Sequence, residues 1–116
     1  MFGLNSSLRF QLYSRPTDMR KSFDGLSGLV QNHLKQSPTN GDVFVFINKP
    51  RNRMKLLHWA GSGFVLYYMR LEQGTFESLE YDKESDSFQL SYSQMVMLIE
   101  GISMKNIRRK KRYSLK

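Results

Sequence analysis

The sequence contains no cysteine, and this absence excludes several kinds of chemistry. Without thiols the chain can form no disulfide bond, offers zinc no thiolate ligand and has no cysteine nucleophile. No stretch approaches the roughly 20 apolar residues that a membrane helix requires. The first ten residues also lack the basic start and apolar run of a secretion signal. We therefore expect a cytoplasmic protein that does not enter a membrane.

The residues that are present are sufficient for one compact domain. The chain has 116 residues, of which 40% are hydrophobic and 13% aromatic, and a disordered chain would have fewer of both. From residue 104 onward the apolar content is too low for packing. We predict a single domain over residues 1–104 and a basic, disordered tail over residues 105–116.

Charge is distributed unevenly along the chain. Residues 1–71 carry a net charge of +7, residues 72–104 carry −6 and residues 105–116 carry +7, which together give the overall +8. Clustered positive charge favours binding to a polyanion, because binding releases condensed counterions. The alternative is a tail that is only solvated and aids solubility.

Apolar periodicity predicts an α+β fold. A strand is expected over residues 8–13, and a long helix over residues 18–36 with Thr17 as its cap. Three β-prone runs with short loops follow, at residues 43–47, 53–60 and 64–71. The acidic residues 76–90 suggest a ragged hairpin, and a shorter helix follows over residues 94–100, with Ser93 as its cap. The prediction is an antiparallel β-meander of about four to six strands, packed with one long N-terminal helix and a shorter C-terminal helix. One sheet face would be covered by the long helix, and the other by the C-terminal helix or a second copy of the protein.

Motifs for catalysis and metal binding are missing from the sequence. His33 and His58 lie in different predicted elements, without the spacing of zinc ligands. The alternating acids Asp82, Glu84 and Asp86 lack the glycine and closing glutamate of a calcium loop. No nucleophile elbow and no Ser–His–Asp assignment is found. We predict no catalytic residue, no metal site and no cofactor.

Basic residues form the candidate binding site. In the predicted domain they fall into two groups, one around the start of the first helix, where anions are favoured, and one in a hairpin loop. Ion pairing with nearby acids is the alternative role for the first group. The tail adds a run of cations, and nearby aromatic side chains are candidates for stacking on bases, although core packing is the alternative for these. The candidate nucleic-acid-binding residues are Arg15, Arg20 and Lys21, then Lys49, Arg51, Arg53 and Lys55, then Arg108, Arg109, Lys110, Lys111 and Arg112, and the aromatic candidates are Trp59, Tyr67 and Tyr68.

Three blocks of sequence resemble a known family. They are PTDMRKSFDGL at residues 16–26, the run from GDVFVFINKP to EQGTF at residues 41–76, and LSYSQMVMLIEGI at residues 90–102. These blocks are similar to the TnpB, or Orf2-like, accessory proteins of insertion-sequence family sixty-six. The resemblance implies a role in transposition beside a separate transposase that carries the catalytic acids, and it supplies no catalytic residue to transfer. The chain departs from the family pattern at Ala60, Met69, Gln73 and Thr75, which weakens the case for a basic face on the third of the predicted strands of the meander.

Two functions fit these observations. The first is a non-enzymatic transposition factor that binds element DNA, the co-encoded transposase, or both. The second is a protein-interaction adaptor for the transposase that makes no direct contact with DNA. An unrecognised enzyme is a third alternative, and assembly into a homo-oligomer is compatible with each of them.

Overall fold

The computed structural model of the protein describes residues 4–78 and 85–103. These residues form a five-stranded sheet with the strand order β4-β3-β2-β1-β5, and two helices. Neither helix has the length and apolar character needed to cross a bilayer, in the part of the chain that is described. The elements are β1 (Phe10–Tyr13), α1 (Phe23–Asn32), β2 (Val43–Ile47), β3 (Arg53–Trp59), β4 (Phe64–Arg70), β5 (Ser87–Leu90) and α2 (Tyr92–Glu100).

The sheet is mixed, so the predicted antiparallel meander is wrong as a description of the whole. Strands β2, β3 and β4 do pair antiparallel in sequence order. Strand β1, however, pairs parallel with β2, with Phe10 opposite Val43 and Leu12 opposite Val45. Parallel neighbours require a crossover, and α1 supplies it. Strand β1 thus lies inside the sheet, with β5 antiparallel on its other side.

The first helix is short, which contradicts the predicted long helix over residues 18–36. It begins at Phe23 and ends at Asn32. Residues 18–21 form a turn instead, in which the Lys21 N–H donates to the Asp18 carbonyl at 3.1 Å. Thr17 does not cap the helix, because the helix begins six residues later, after Ser22. The Thr17 N–H instead donates to the carbonyl of Ile47 at the end of β2. After the helix, Lys35 has a φ of 56°, which is incompatible with helix continuation.

Each face of the sheet is covered by one helix, and we call them the α1 face and the α2 face. Packing on the α1 face joins Leu26 and Val30 of the helix to Phe44, Phe46 and Leu57, all buried. The α2 face is lined by apolar side chains from every strand, and helix α2 covers it. The sequence had left two alternatives for this cover, the C-terminal helix or a second copy of the protein. Its buried core consists of Leu4, Phe10, Leu12, Val43, Val45, Ile47, Met54, Leu56, Phe76, Leu90, Met95 and Leu98.

The second helix has well-defined ends. Its cap is Ser91 rather than the predicted Ser93, and the Ser91 hydroxyl accepts from the Gln94 N–H while the Gln94 side chain accepts from the Ser91 N–H. This reciprocal pair satisfies two amides that have no partner inside the helix. At the other end Gly101 has a φ of 78°, the left-handed conformation in which glycine is favoured.

Two predicted segments lie partly or wholly outside the described residues. Of the acidic hairpin expected over residues 76–90, only β5 is described as a strand, and it pairs with β1. Residues 79–84 fall outside the described part. The predicted tail over residues 105–116 also falls outside it, together with all five of its candidate binding residues.

Candidate functional site

The sequence-predicted cations of the folded domain lie at one end of the sheet. Parallel strands β1 and β2 both end there, at Tyr13 and Ile47, and are followed by loops 14–22 and 48–52. Strand β3 begins at the same end with Arg53, opposite Arg70 at the end of β4. We call this region the basic end. It contains Arg15, Arg20, Lys21, Lys49, Arg51, Arg53, Lys55 and Arg70.

Loop 14–22 is held by its own acid as well as by the sheet. The Asp18 carboxylate accepts from the Arg20 backbone N–H at 2.9 Å and from the Arg20 guanidinium at 2.6 Å. These hydrogen bonds lower the pKa of Asp18 to about 2. The Arg20 side chain is otherwise 91% exposed. The ion pairing that the sequence left open as an alternative is therefore present for Arg20, with Asp18 as its partner.

Lys55 lies under this loop and supports it. Only 6% of Lys55 is exposed, and its Nζ donates to the carbonyls of Met19 and Lys21, each at 2.6 Å. The same ammonium lies 4.8 Å from the ring centroid of Tyr68. Buried ammonium groups require hydrogen-bond partners, and these two carbonyls provide them. Lys55 therefore fixes the turn that precedes α1 rather than facing solvent.

Loop 48–52 is organised by the side chain of Asn48. Its carboxamide oxygen accepts from the backbone N–H groups of Asn52 and Arg53, both at 3.0 Å. Within the loop Arg51 has a φ of 60° and donates its N–H to the Asn48 carbonyl. The Arg51 guanidinium points to a different segment, where it donates to the carbonyls of Phe76 and Glu77 at 2.9 and 2.5 Å. This arginine thus joins the loop to the chain that follows β4.

Part of the positive charge of the basic end is neutralised locally. Besides the Asp18–Arg20 pair, Arg15 lies 3.5 Å from Asp86, and Arg70 lies 2.8 Å from Glu72. All three pairs are largely exposed, so each contributes little to stability. Lys49 and Arg53 are exposed and pair with no carboxylate of residues 4–78 or 85–103. Lys21 is likewise exposed without such a partner, so these three cations are the ones most available to an external anion.

Lys49 and Arg53 line an open hollow of about 460 Å³ between the two loops. Pro16, Asp18 and Asn52 contribute to its walls. A second hollow of about 210 Å³ adjoins it, because Lys49 lines both. The cations Arg15 and Arg51 line this second hollow. The loops thus bring together cations from two distant parts of the sequence, around two depressions that share Lys49 in their walls.

Arg70 belongs to the basic end although it was not among the candidate binding residues. It lines a hollow of about 280 Å³ with Arg53 and Tyr68, and the Arg53 guanidinium donates to the Tyr68 hydroxyl at 3.2 Å. The sequence could have predicted that Arg70 lies beside Arg53. Counting outward along both strands from the Gly61 turn places residue 70 opposite residue 53 in an antiparallel pair.

Of the three aromatic candidates for base stacking, only Tyr68 lies at the basic end with an exposed ring. Its side chain is on the α1 face, and 53% of the residue is exposed. Tyr67 packs against the core of the α2 face. Trp59 is at the far end of β3, with its ring 5.0 Å from that of Phe64.

The two histidines lie apart, as their sequence positions suggested. His33 follows α1, with its ring 6.3 Å from that of Tyr13. His58 pairs with Val43 on one side and Val65 on the other. Within the described ranges, no three side chains of the metal-ligating types come close enough to hold an ion.

Comparison with known proteins identifies the family of this chain. The model of the family described as IS66 Orf2 like protein matches residues 8–109. Two curated relatives from Sinorhizobium fredii (strain NBRC 101917 / NGR234) are both named as uncharacterized proteins. The protein y4jC is 31% identical over 110 residues, which cover 95% of this chain and 92% of the relative. The protein y4hO is 29% identical over 106 residues, covering 91% and 90%. No solved structure matches the chain. Since the family model spans most of its length, this protein belongs to the IS66 Orf2-like family, as the three sequence blocks indicated.

Proposed function

We propose that this protein is a non-enzymatic accessory factor in transposition, and that its basic end contacts the phosphates of element DNA. Membership of the IS66 Orf2-like family indicates the transposition-related accessory role. The direct contact with DNA is our inference from the geometry. We place this activity in the cytoplasm, where the DNA of a bacterium lies, and we expect it to need no metal ion or cofactor.

The observation that carries the proposal is the pair of uncompensated cations in the larger hollow. Lys49 and Arg53 are exposed, line the same depression and have no carboxylate partner in the described part of the chain. A cation already paired with a carboxylate presents less net charge and fewer free donors to a phosphate, whereas these two are not reduced in this way. Neutralised phosphates release condensed counterions, which supplies sequence-independent affinity.

We expect the other basic residues to contribute to DNA binding in different ways. Arg15 and Arg51 line the adjoining hollow and extend the positive surface along the loops. Lys21 is exposed at the turn before α1, while Arg20 would exchange Asp18 for a phosphate. Lys55 acts by holding this turn in place. The tail cations Arg108, Arg109, Lys110, Lys111 and Arg112 would add nonspecific affinity.

Salt-dependent DNA binding tests the proposal. Fluorescence anisotropy with a labelled duplex would be measured over a range of salt concentrations, for the parent chain and for the double variant Lys49→Gln/Arg53→Gln. We expect weaker binding to duplexes of any sequence, and a salt slope smaller in magnitude by about 2, since each lost phosphate contact removes about one unit.

A matched control removes two charges at the opposite end of the sheet. In Arg9→Gln/Lys35→Asn the net charge falls by the same amount, and asparagine tolerates the φ of 56° at residue 35. Arg9 gives up a 3.8 Å contact with Asp42, whose carboxylate still accepts from Gln11. This variant is expected to retain most of the affinity and salt slope. Equal losses in the two double variants would mean that overall charge, and not the basic end, governs binding.

Removal of residues 105–116 tests the tail by itself. We expect the truncated chain to bind more weakly but with the same sensitivity to Lys49→Gln/Arg53→Gln. A truncated chain without any affinity for DNA would show that the folded domain contributes little.

The co-encoded transposase is the proposed protein partner. Pull-down of the transposase with this chain, with and without nuclease treatment, distinguishes contact through DNA from direct contact. A complex that survives nuclease, combined with no affinity of this chain for DNA, would favour the adaptor function over DNA binding.

A further inference from the structure

In the described part of the chain, strand β4 forms an edge of the sheet that no other strand covers. It lies at the end of the strand order, and only β3 pairs with it among the described residues. Its seven residues, FVLYYMR, contain one charge and no proline. Val65 and Tyr68, which are 37% and 53% exposed, are two of the three large apolar residues that are exposed in the described part of the chain. A long apolar edge of this kind is a ready template for pairing with another strand.

The opposite edge of the sheet lacks these properties. Strand β5 has only four residues, and its exposed Gln89 is polar. Asp86 immediately precedes it and pairs with Arg15. Natural sheets prevent edge pairing with short strands and charges of this kind. The protection at β5 and its absence at β4 indicate that β4 has a partner.

The hydrogen-bond pattern shows which backbone groups of β4 point outward. At one end of the β3–β4 pair the Ala60 N–H donates to the Gly63 carbonyl at 2.9 Å, and at the other the Leu71 N–H donates to the Asn52 carbonyl at 2.8 Å. In an antiparallel pair the hydrogen-bonded positions alternate. The odd-numbered residues of β4 therefore bond to β3. The N–H and C=O groups that point away from the sheet belong to Phe64, Leu66, Tyr68 and Arg70.

We propose that β4 pairs antiparallel with β4 of a second copy of this chain, about a two-fold axis at Tyr67. In this register Phe64 of each copy lies opposite Arg70 of the other, and Leu66 of each copy lies opposite Tyr68 of the other. All four outward-pointing residues of both strands are then in hydrogen-bonded positions, which gives about eight hydrogen bonds. Registers shifted along the strand leave some of these groups unpaired.

Side chains are also compatible with this register. The single charge of the strand, Arg70, lies opposite the ring of Phe64, so the two copies place no like charges opposite one another. On the α2 face, Val65 meets Met69 of the second copy and the two Tyr67 side chains meet at the axis. An apolar hollow of about 250 Å³, lined by Leu4, Met54, Leu56, Tyr67, Tyr68, Met69 and Ile99, flanks this contact. The two sheets become one continuous sheet of ten strands.

Sedimentation velocity over a concentration series tests the dimer. We expect the parent chain to shift from monomer to dimer with rising concentration, and Val65→Lys to remain monomeric. Phe23→Lys is the matched control, because Phe23 is a similarly exposed apolar residue, at 43%, on α1. It should dimerise like the parent chain. A parent chain that is monomeric throughout, or equal loss of dimer in the two variants, would overturn the proposal.

Disulfide trapping tests the register, and the absence of native cysteine makes each introduced thiol the sole one. Residues opposite each other at a non-hydrogen-bonded position have Cα atoms about 4.5 Å apart, within disulfide range. We expect Tyr67→Cys to form a covalent dimer in oxidised glutathione. Val65→Cys alone should not, because its two copies lie ~13 Å apart along the strands.

A mixed experiment covers the case in which Tyr67→Cys fails to fold. Equimolar Val65→Cys and Met69→Cys chains should form a disulfide dimer that contains one chain of each kind, identified by mass. Val65→Cys homodimers that form as readily as the mixed dimer would contradict the register, as would failure of the mixture to cross-link. These measurements need no DNA, so their outcome is independent of the proposed DNA contact.

Discussion

The two faces of the sheet are built on different principles. The α2 face is lined by apolar side chains, with Phe10, Val43 and Leu90 almost completely buried. The α1 face contains two buried polar side chains beside its apolar ones, Gln11 and Lys55, at 7% and 6% exposure. Buried polar groups are costly unless their hydrogen bonds are satisfied, and both of these are. The α2 face therefore supplies stability through burial, while the α1 face uses part of its area to position chain segments.

The segments positioned by the α1 face lie at both ends of α1. Lys55 donates to carbonyls of the turn that precedes the helix. Gln11 donates to Gln36, which follows the helix, and to Asp42, at 2.7 and 2.6 Å. Helix α1 has no side-chain cap of its own at Ser22, unlike α2. The sheet beneath α1 thus fixes the segments at the two ends of that helix, whereas the start of α2 is fixed by a cap from its own sequence.

The largest expected effect is on the α2 face. Phe10→Ala removes a completely buried ring from this face, where it neighbours Tyr92. We expect a loss of about 3–5 kcal/mol in the free energy of unfolding, from lost burial and the cavity that remains. Urea denaturation measures it, with the exposed Phe23→Ala as a control of the same chemistry. A loss below about 1 kcal/mol would contradict the assignment of this face as the main core.

The next effect concerns the buried cation of the α1 face. Lys55→Met keeps the aliphatic stem but leaves the carbonyls of Met19 and Lys21 without their donor. We expect a loss of about 1.5–3 kcal/mol, the range of hydrogen bonds to charged groups, and faster hydrogen exchange of the Lys21 amide. Met54→Leu, the neighbouring residue on the α2 face, should cost less than about 1.5 kcal/mol and leave that amide unchanged. Unaltered hydrogen exchange of the Lys21 amide in Lys55→Met would mean that the turn is stable without the Lys55 ammonium.

Capping gives a smaller effect that differs between the helices. Ser91→Ala removes the hydroxyl that accepts from the Gln94 N–H, and we expect a loss of about 1 kcal/mol in the free energy of unfolding. Ser22→Ala at the start of α1 should have almost no effect, because that hydroxyl makes no capping hydrogen bond. Thermal and urea denaturation of both variants test the difference. Equal losses would show that α1 depends on its own cap after all.

The smallest effect concerns the exposed Asp18–Arg20 pair. The folded pKa of Asp18, about 2, lies below its ordinary value of 3.8. Its contribution to stability is therefore present above pH 3.8 and is lost as the pH falls through 2, and it is small because both side chains are exposed. An NMR titration of the Asp18 carboxyl should show the low pKa, and Arg20→Gln should return it towards 3.8. An unchanged pKa in that variant would assign the shift to another group.

The local part of the fold could be predicted from the sequence. The residues of β2, β3 and β4 were placed to within one residue at each end, because apolar runs and glycine turns are encoded over short stretches. The non-local part could not. The parallel pairing of β1 with β2 and the return of β5 to β1 depend on contacts that no local pattern specifies. The start of α1 was misplaced for the same reason, since Lys55, which is 34 residues from Lys21, holds the preceding turn.

The candidate site likewise has a part that the sequence predicts and a part that depends on contacts distant in sequence. The sequence predicted which cations to consider, and the structure brings those of the folded domain to one end of the sheet. It could not predict which of them are already engaged. Lys55 bonds to loop carbonyls, Arg51 bonds to the chain after β4, and Arg15 pairs with Asp86, all through residues distant in sequence. Only the tertiary fold distinguishes these from Lys49 and Arg53.

The pairing of Phe10 with Leu90 has a consequence for how the chain folds during synthesis. Strands β1 to β4 and α1 all lie within residues 10–70, so this part can assemble while the rest of the chain is being translated. Its β1 edge and its apolar α2 face, however, remain open until residues 87–100 emerge, because β5 and α2 are the last of the described elements. Contacts this distant in sequence close slowly, and an open apolar face invites association with other chains in the meantime. The nascent protein is therefore expected to be most vulnerable to aggregation just before α2 leaves the ribosome.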